Sequence, residues 1–266
     1  MDSLTFLFGT KSWVVALVFL VVCFAVAEGT YRLSRRCAVA GSRCKDHYVY
    51  VQAMVAALLG LLLAFTVSMA VSRFEDRKEA VVDESNAIGT AFLRAALLPE
   101  SEQAHAVDVF RDYLDVRLEL ARPDWYLKGR SEMAQKEVPL RHELWSLGVG
   151  AAQNDPGAVT AGLYLEAVNE MIDSAARRDA GLRNHVPESV LYMIMIVSLA
   201  VMGIIGYLSG ITGGRSVTAT LILAAVVAVV LFVIMDFDRP YRGVITVSQR
   251  SMFDLRALME QGLPPW

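Results

Sequence analysis

Carboxylates in the middle of this 266-residue sequence are the residues whose types and spacing first suggest chemistry. Glu166, Glu170 and Asp173 recur at helical spacing and would share one face of a helix. Together with Asp83 or Glu84 they could supply the oxygen ligands that a divalent cation prefers. Acidic residues on helices are more commonly solvated or paired with arginine, so we favour that interpretation and predict no metal site.

A longer set of residues forms the candidate pore or polar network of this chain. Several members lie where hydrophobic runs end, and the arginines Arg73, Arg77 and Arg94 would draw anions toward a pore mouth by electrostatic focusing. The full set is Glu28, Phe65, Arg73, Arg77, Asp83, Glu84, Asn86, Arg94, Asn169, Asp173, Asp236, Asp238, Arg239 and Arg242.

Glu28 stands out in this set because it ends the first hydrophobic run. An ionisable group close to hydrocarbon is a functional candidate by default, here as a pore or gating contact. The alternative is that Glu28 snorkels or pairs with Arg32, which lies four residues on and therefore on the same helix face. Both interpretations remain open at this stage.

The sequence lacks motifs of hydrolytic, redox or nucleotide chemistry. HExxH, P-loop, GxSxG and Rossmann patterns do not occur, and the four histidines are scattered without ligand spacing. The three cysteines, Cys23, Cys37 and Cys44, form neither a disulfide framework nor a zinc set, although Cys37 and Cys44 could pair in an oxidising compartment. We therefore expect a protein that is not an enzyme and has no cofactor.

Composition places the chain in a lipid bilayer. A hydrophobic content of 55% is too high for a soluble protein with an ordinary surface, and a net charge of −3 offers no basic excess for nucleic acid. A transmembrane helix needs about 20 largely apolar residues. Four runs approach or meet this length: Trp13 to Ala27, Val49 to Val71, Val190 to Ile211 and Val217 to Met235.

The first run has a rival interpretation as a signal peptide, because Ala25 to Ala27 fits a small-x-small cleavage pattern. Arg32, Arg35 and Arg36 follow at once, as expected of a retained anchor, so we predict four spans. The basic residues of the first loop and of the tail nearly balance. The sequence therefore leaves open which side the middle section faces.

We predict an all-α, multi-pass membrane protein with four transmembrane helices and a helical extramembrane insert between the second and third. The insert alternates in charge and has no strand-like alternation. The second span continues without a strong breaker to Pro99, and the tail has the spacing of a short amphipathic helix. The predicted regions are a first helix pair at 1–72, the helical section at 73–186, a second helix pair at 187–236 and the tail at 237–266.

Small residues on two spans are candidates for helix packing. Ala56, Gly60, Ala64 and Ser68 recur every four residues on the second span, and Gly206 with Gly210 forms a GxxxG match on the third. Lipid tails provide no hydrophobic drive between helices, so close approach through small residues contributes strongly to association. Periodicity cannot separate packing within the chain from a subunit interface.

Several stretches, in their order along the chain, resemble the bacterial bestrophin-like membrane proteins. They are Leu61 to Ala70, Ser72 to Phe74, Val82 to Ala91, Leu165 to Asp173, Asn184 to Pro187, Asp236 to Gly243 and Val247 to Gln249. The resemblance covers nearly the whole chain from Glu28 onward. It implies two spans, a helical insert and two further spans, with distant similarity to the bestrophins, which are pentameric anion channels. Phe65 is the only phenylalanine of the second span, whereas bestrophins have a phenylalanine-rich pore neck.

From these patterns we expect a homo-oligomeric, channel-like protein of a bacterial inner membrane, with inorganic anions as the candidate permeant species. The alternative is a non-conducting membrane scaffold or sensor that binds a partner through its helical section.

Overall fold

The computed structural model describes residues 10–37, 45–122, 130–155, 159–239, 241 and 243–263, and these are helical without any strand. The α-helices are α1 (Ser12–Cys37), α2 (Lys45–Arg94), α3 (Glu100–Leu120), α4 (Arg130–Asn154), α5 (Val159–Arg183), α6 (Glu188–Thr212), α7 (Val217–Phe237) and α8 (Arg250–Glu260). Cys44 and Arg242 lie outside the described residues, and with them the considered pairing of Cys37 with Cys44.

Four helical stretches in the described part of the chain are long and apolar enough to cross a membrane. They are Ser12–Arg36, Tyr48–Leu97, Val159–Thr212 and Val217–Phe237. The second and third stretches extend well beyond the apolar runs at 49–71 and 190–211, into the charged helices between them. The prediction of an all-α protein with four spans is confirmed.

The chain divides into two compact units, which we call the membrane unit and the helical unit. The membrane unit comprises Met1–Arg73 and His185–Arg239, and the helical unit comprises Phe74–Asn184 and Pro240–Trp266. Helix α2 contributes its first part to one unit and its second part to the other. The C-terminal segment belongs with the central helices, which local sequence patterns did not indicate.

In the membrane unit, α1 packs closely against α6. A Cβ atom built on Gly206 would lie 2.0 Å from the Ala27 carbonyl oxygen, and one on Gly210 would lie 2.6 Å from the Ser34 Cβ. Helix backbones can approach this closely only where side chains are absent. The GxxxG residues of the third span therefore serve packing within the chain.

The short connection between α6 and α7 is defined by two local features. Gly213 ends α6 with a φ of 73°, a left-handed conformation that glycine adopts without steric cost. The Ser216 hydroxyl then accepts a hydrogen bond from the Ala219 amide at 3.3 Å and so caps the start of α7. This connection brings Arg215 to the end of α1.

The helical unit surrounds an aromatic core. Phe92 of α2 and Phe110 of α3 are fully buried and meet edge to face, with ring centroids 6.1 Å apart. Tyr164 of α5 is equally buried, and its hydroxyl donates to the Leu144 carbonyl oxygen at 3.1 Å. Pro139 lies inside a continuous α4.

Helix α2 ends by tightening into a 3-10 turn, Ala95–Leu97, before Pro99. Leu98 is extended, as expected of a residue that precedes proline. Helix α8 packs onto the same unit through the buried side chains of Met252 and Met259, and Arg111 donates to the Met259 carbonyl oxygen at 2.8 Å. The amphipathic tail helix therefore uses its apolar face against protein.

We predict that Gly206→Ala destabilises the protein, because the new methyl group would collide with the α1 backbone at Ala27. Overpacking of this kind costs about 1–3 kcal/mol. The matched control is Gly203→Ala, one turn away, where the nearest atoms would lie at an ordinary 3.7 Å. Thermal unfolding in detergent should show a lower Tm for Gly206→Ala only; equal Tm values would contradict the close packing.

Candidate functional site

A buried carboxylate shared by two arginines lies at the centre of the helical unit. Glu84 is completely buried, and its Oε1 accepts from Arg117 Nε at 2.5 Å while its Oε2 accepts from Arg178 Nη1 at 2.6 Å. Arg117 and Arg178 are only 2% and 3% exposed. Each carboxylate oxygen therefore has its own cationic partner, an arrangement that compensates the cost of burying these charges.

Further groups complete this network. Arg117 also contacts Glu137 Oε2 at 3.3 Å and Asp179 Oδ1 at 3.4 Å. Arg178 donates to the Tyr241 hydroxyl at 3.3 Å and to Gln249 Oε1 at 2.8 Å. The network therefore connects α2, α3, α4 and α5 with the C-terminal segment.

The electrostatics of the network keep Glu84 and Arg117 charged. Burial raises the pKa of the Glu84 carboxyl, but the charges and hydrogen bonds of Arg117 and Arg178 outweigh burial and hold that pKa below its ordinary value. Burial lowers the pKa of Arg117, but Glu84 and its other acidic neighbours raise it well above the ordinary arginine value. Burial also raises the pKa of Tyr113, whose hydroxyl has no hydrogen-bond partner among the described residues.

The arginines predicted to attract anions are engaged with main-chain carbonyl groups. Arg73 donates to the His185 carbonyl oxygen in the membrane unit. Arg77 is 2% exposed and donates to the carbonyl oxygens of Gly181 at 3.1 Å and Asn184 at 2.8 Å in the helical unit. Their guanidinium groups thus cover carbonyl oxygens at and just after the C-terminus of α5, where cations stabilise a helix end.

Acidic candidates at the end of α7 are buried. Asp238 is 1% exposed and accepts from the Val186 amide at 3.0 Å, and its Oδ2 lies 3.2 Å from His185 Nδ1. Asp236 is 2% exposed, and Arg239 is partly buried. Asp238 thus ties the end of α7 to the segment that precedes α6.

The remaining polar candidates of the helical unit lie on its surface. Asp83 and Asn86 are exposed on α2, and Asn169 donates to Asp173 Oδ2 at 3.3 Å within α5. Arg94 donates to the Leu163 carbonyl oxygen at 2.7 Å and lies 3.3 Å from Glu166. Arg94, Glu166 and Asn169 line a shallow polar groove between α2 and α5. The other lining residues are Ala87, Thr90, Ala167 and Glu170.

Glu28 has partners on two elements. Its Oε1 accepts from Arg32 Nε at 2.7 Å, as one of the two interpretations of the sequence expected, and its Oε2 accepts from Arg215 Nη2 at 2.8 Å. The Arg215 guanidinium also lies over the Tyr31 ring, 5.0 Å from its centroid. The partner 187 residues away was not visible to local analysis.

The small-residue face of the second span differs from that of the third. Ala56, Gly60, Ala64 and Ser68 are all exposed, and a Cβ atom on Gly60 would meet nothing within 4 Å. Phe65 beside them is 65% exposed. The described part of a single chain therefore leaves this face uncovered, whereas Gly206 and Gly210 are already in contact with α1.

Sequence reasoning missed Arg117 and Arg178 as members of the polar network. A signal was present for Arg117, because Phe110, Tyr113 and Leu114 place it on the apolar face of α3. An arginine on a buried helix face requires an acidic partner, since a lone buried charge is costly. The identity of that partner was not readable, because Glu84 lies 33 residues earlier.

Comparison with known families identifies the family of the chain. A sequence profile described as the Bestrophin-like domain matches residues 14–252, which is nearly the whole chain. The chain belongs to the bestrophin-like family. No match was found among curated proteins or among solved structures. The predicted membership of the bestrophin-like family is therefore confirmed.

We predict that Glu84→Gln strongly destabilises this bestrophin-like protein, because it leaves Arg117 and Arg178 buried around a neutral group. Breaking a buried pair costs about 3–5 kcal/mol. Arg177→Gln is the control, because its pair with Glu170 is on the surface and should leave Tm unchanged. A similar Tm for both variants would contradict a central role of Glu84.

Comparing the unmodified protein with Glu84→Gln over a range of pH gives a second test. The lowered pKa of Glu84 means that its stabilising contribution is complete above the ordinary value of 4.5 and is lost as pH falls through the pKa of the folded protein. The unfolding transition of the unmodified protein should therefore move to lower temperature below about pH 4.5, with a smaller shift in Glu84→Gln.

Proposed function

We propose that the protein is a homo-oligomeric, channel-like protein of a bacterial inner membrane, in which α2 spans from several copies line a pathway for inorganic anions. The observation that carries the proposal is the uncovered face of α2, formed by Ala56, Gly60, Ala64 and Ser68. Its position on the span that the family resemblance associates with the pore supports the same conclusion.

Small residues favour a protein neighbour over lipid at this face. A lipid tail fills the space beside a large apolar side chain equally well, so a stripe of alanine, glycine and serine gains little from contact with lipid. A second helix gains van der Waals contact because the two backbones can approach closely. In this proposal the face packs on the next copy, and repetition of the contact closes a ring.

Charged side chains on α2 affect whether the proposed pathway favours anions or cations. Arg73 and Arg77 lie on α2 and add positive charge to an anion-attracting field. Glu75, Asp76 and Asp83 are exposed on the same helix and oppose it. Anion conduction in this proposal requires that the arginine field dominates along the pathway.

We predict that the purified protein in detergent has a mass several times that of its 29.2 kDa chain. Gly60→Leu should reduce that mass, because a large side chain on the open face blocks close approach of the next copy. Gly29→Leu is the control, since that position on α1 is equally open. A monomeric unmodified protein, or equal masses for both variants and the unmodified protein, would contradict the proposed interface.

We also predict chloride flux when the protein is reconstituted in liposomes. Gly60→Leu should lose this flux while Gly29→Leu retains it, because only the first alters the proposed ring. Reversal potentials in a salt gradient report the sign of the permeant ion. A cation-selective current would contradict the anion assignment alone, whereas absence of current from a confirmed oligomer would contradict conduction.

A non-conducting scaffold or sensor is the second candidate. The observation that favours it is the polar groove between α2 and α5, where Arg94, Glu166 and Asn169 present both charges and an amide on one surface. Such a groove suits a polar segment of a partner protein. A monomer without ion flux would favour this candidate.

A further inference from the structure

Arginines are concentrated at one edge of the membrane unit, where α1 ends and the α6–α7 connection passes it. Arg32, Arg35 and Arg36 are exposed on the last turns of α1. Arg215 in the connection shares Glu28 with Arg32 and lies over the Tyr31 ring. We call these four residues the arginine edge. Both elements are needed to form it.

The arginine edge has an excess of positive charge. Glu28 is the carboxylate that the described residues place there, and it is shared between Arg32 and Arg215. A guanidinium group has five N–H donors, so each of these arginines keeps donors for another acceptor. Four guanidinium groups outnumber this one carboxylate, so the arginine edge has a net positive charge that attracts a further anion.

A shallow groove adjoins the arginine edge and is mixed in character. Its apolar part is formed by Phe24, Ala27 and Val217, and hydroxyl groups of Ser209 and Thr220 lie with Arg215 in the same lining. These hydroxyls donate to the carbonyl oxygens of Ile205 and Ser216, at 2.8 Å and 3.1 Å. The N–H donors for an anion therefore come from the arginines, while the apolar part suits hydrocarbon.

The depth of the arginine edge matches that of lipid headgroups. The apolar run of α1 ends at Ala27, and Arg32 to Arg36 follow about 8–14 Å further along the helix axis. The headgroup region begins where the hydrocarbon core of about 30 Å ends. Basic pockets between spans at this level are suited to anionic lipid headgroups.

We propose that the arginine edge binds the phosphate headgroup of an anionic phospholipid, with the upper part of an acyl chain against Phe24 and Val217. The phosphate accepts from the free N–H groups of Arg32, Arg35, Arg36 and Arg215, and Glu28 orients two of these side chains. The bilayer lipid is favoured over free phosphate because the groove joins donors to an apolar surface. The site does not depend on ion conduction.

The test is titration of the purified full-length protein with phosphatidylglycerol or phosphatidylcholine of equal chain length, with bound lipid counted by native mass spectrometry. Arg35→Gln/Arg36→Gln should weaken phosphatidylglycerol binding by about thirtyfold, since each basic residue near an anionic headgroup contributes about fivefold. Arg215→Gln should weaken it as well. Lys11→Gln, an exposed cation at the other end of α1, is the control and should bind normally.

A further arm distinguishes the sources of the anion. Inorganic phosphate should displace the lipid only weakly, whereas displacement at equal concentration would overturn a lipid site. Unchanged affinity in Arg35→Gln/Arg36→Gln, whose exposed side chains can be replaced without loss of fold, would overturn the proposal. An equal loss of affinity for phosphatidylglycerol and phosphatidylcholine in this variant would also overturn the proposal.

Discussion

The buried carboxylate of Glu84 is the interaction on which the organisation of the helical unit depends. Two arginines from different helices each contact one of its oxygens, and Arg178 extends the contact to Tyr241 and Gln249. A buried ion pair need not add net stability relative to an apolar core, because desolvation offsets much of the attraction. Its directional hydrogen bonds nevertheless penalise alternative packings, which would leave one of these charges without a partner.

A different constraint shapes the membrane unit. Lipid competes equally for apolar side chains, so helices associate where their surfaces allow close contact. Gly206 and Gly210 satisfy this requirement with α1, whose carbonyl oxygen at Ala27 lies where a side chain would otherwise be. The similar stripe containing Gly60 is exposed, and a Cβ atom on Gly60 would meet none of the described residues within 4 Å. The same sequence pattern is thus covered on α6 and exposed on α2, and the exposed face is the one that the proposed ring of copies would use.

Charges at the ends of the spans are matched in specific ways. Asp238 accepts from the Val186 amide and lies beside His185, while Glu28 is shared between Arg32 and Arg215. These contacts lie near the ends of the apolar spans. All of them except Glu28–Arg32 join segments that are distant in sequence. Ionisable groups at such positions are costly without partners. The surplus of arginine near Glu28 is therefore a feature that a headgroup can use.

The sequence alone determined the helical class, the four spans and the family, because apolar runs of membrane length and the stretches around Ser72 to Phe74 are local properties. It also located the end of α2 near Pro99, since proline removes a backbone donor and restrains the residue before it. It did not determine that Glu84 pairs with Arg117 and Arg178, that Glu28 meets Arg215, or that the tail helix packs on the central helices. Helical periodicity reports only residues a turn or two apart. Contacts over 33 to 187 residues depend on which helix faces meet, and only the tertiary structure decides this.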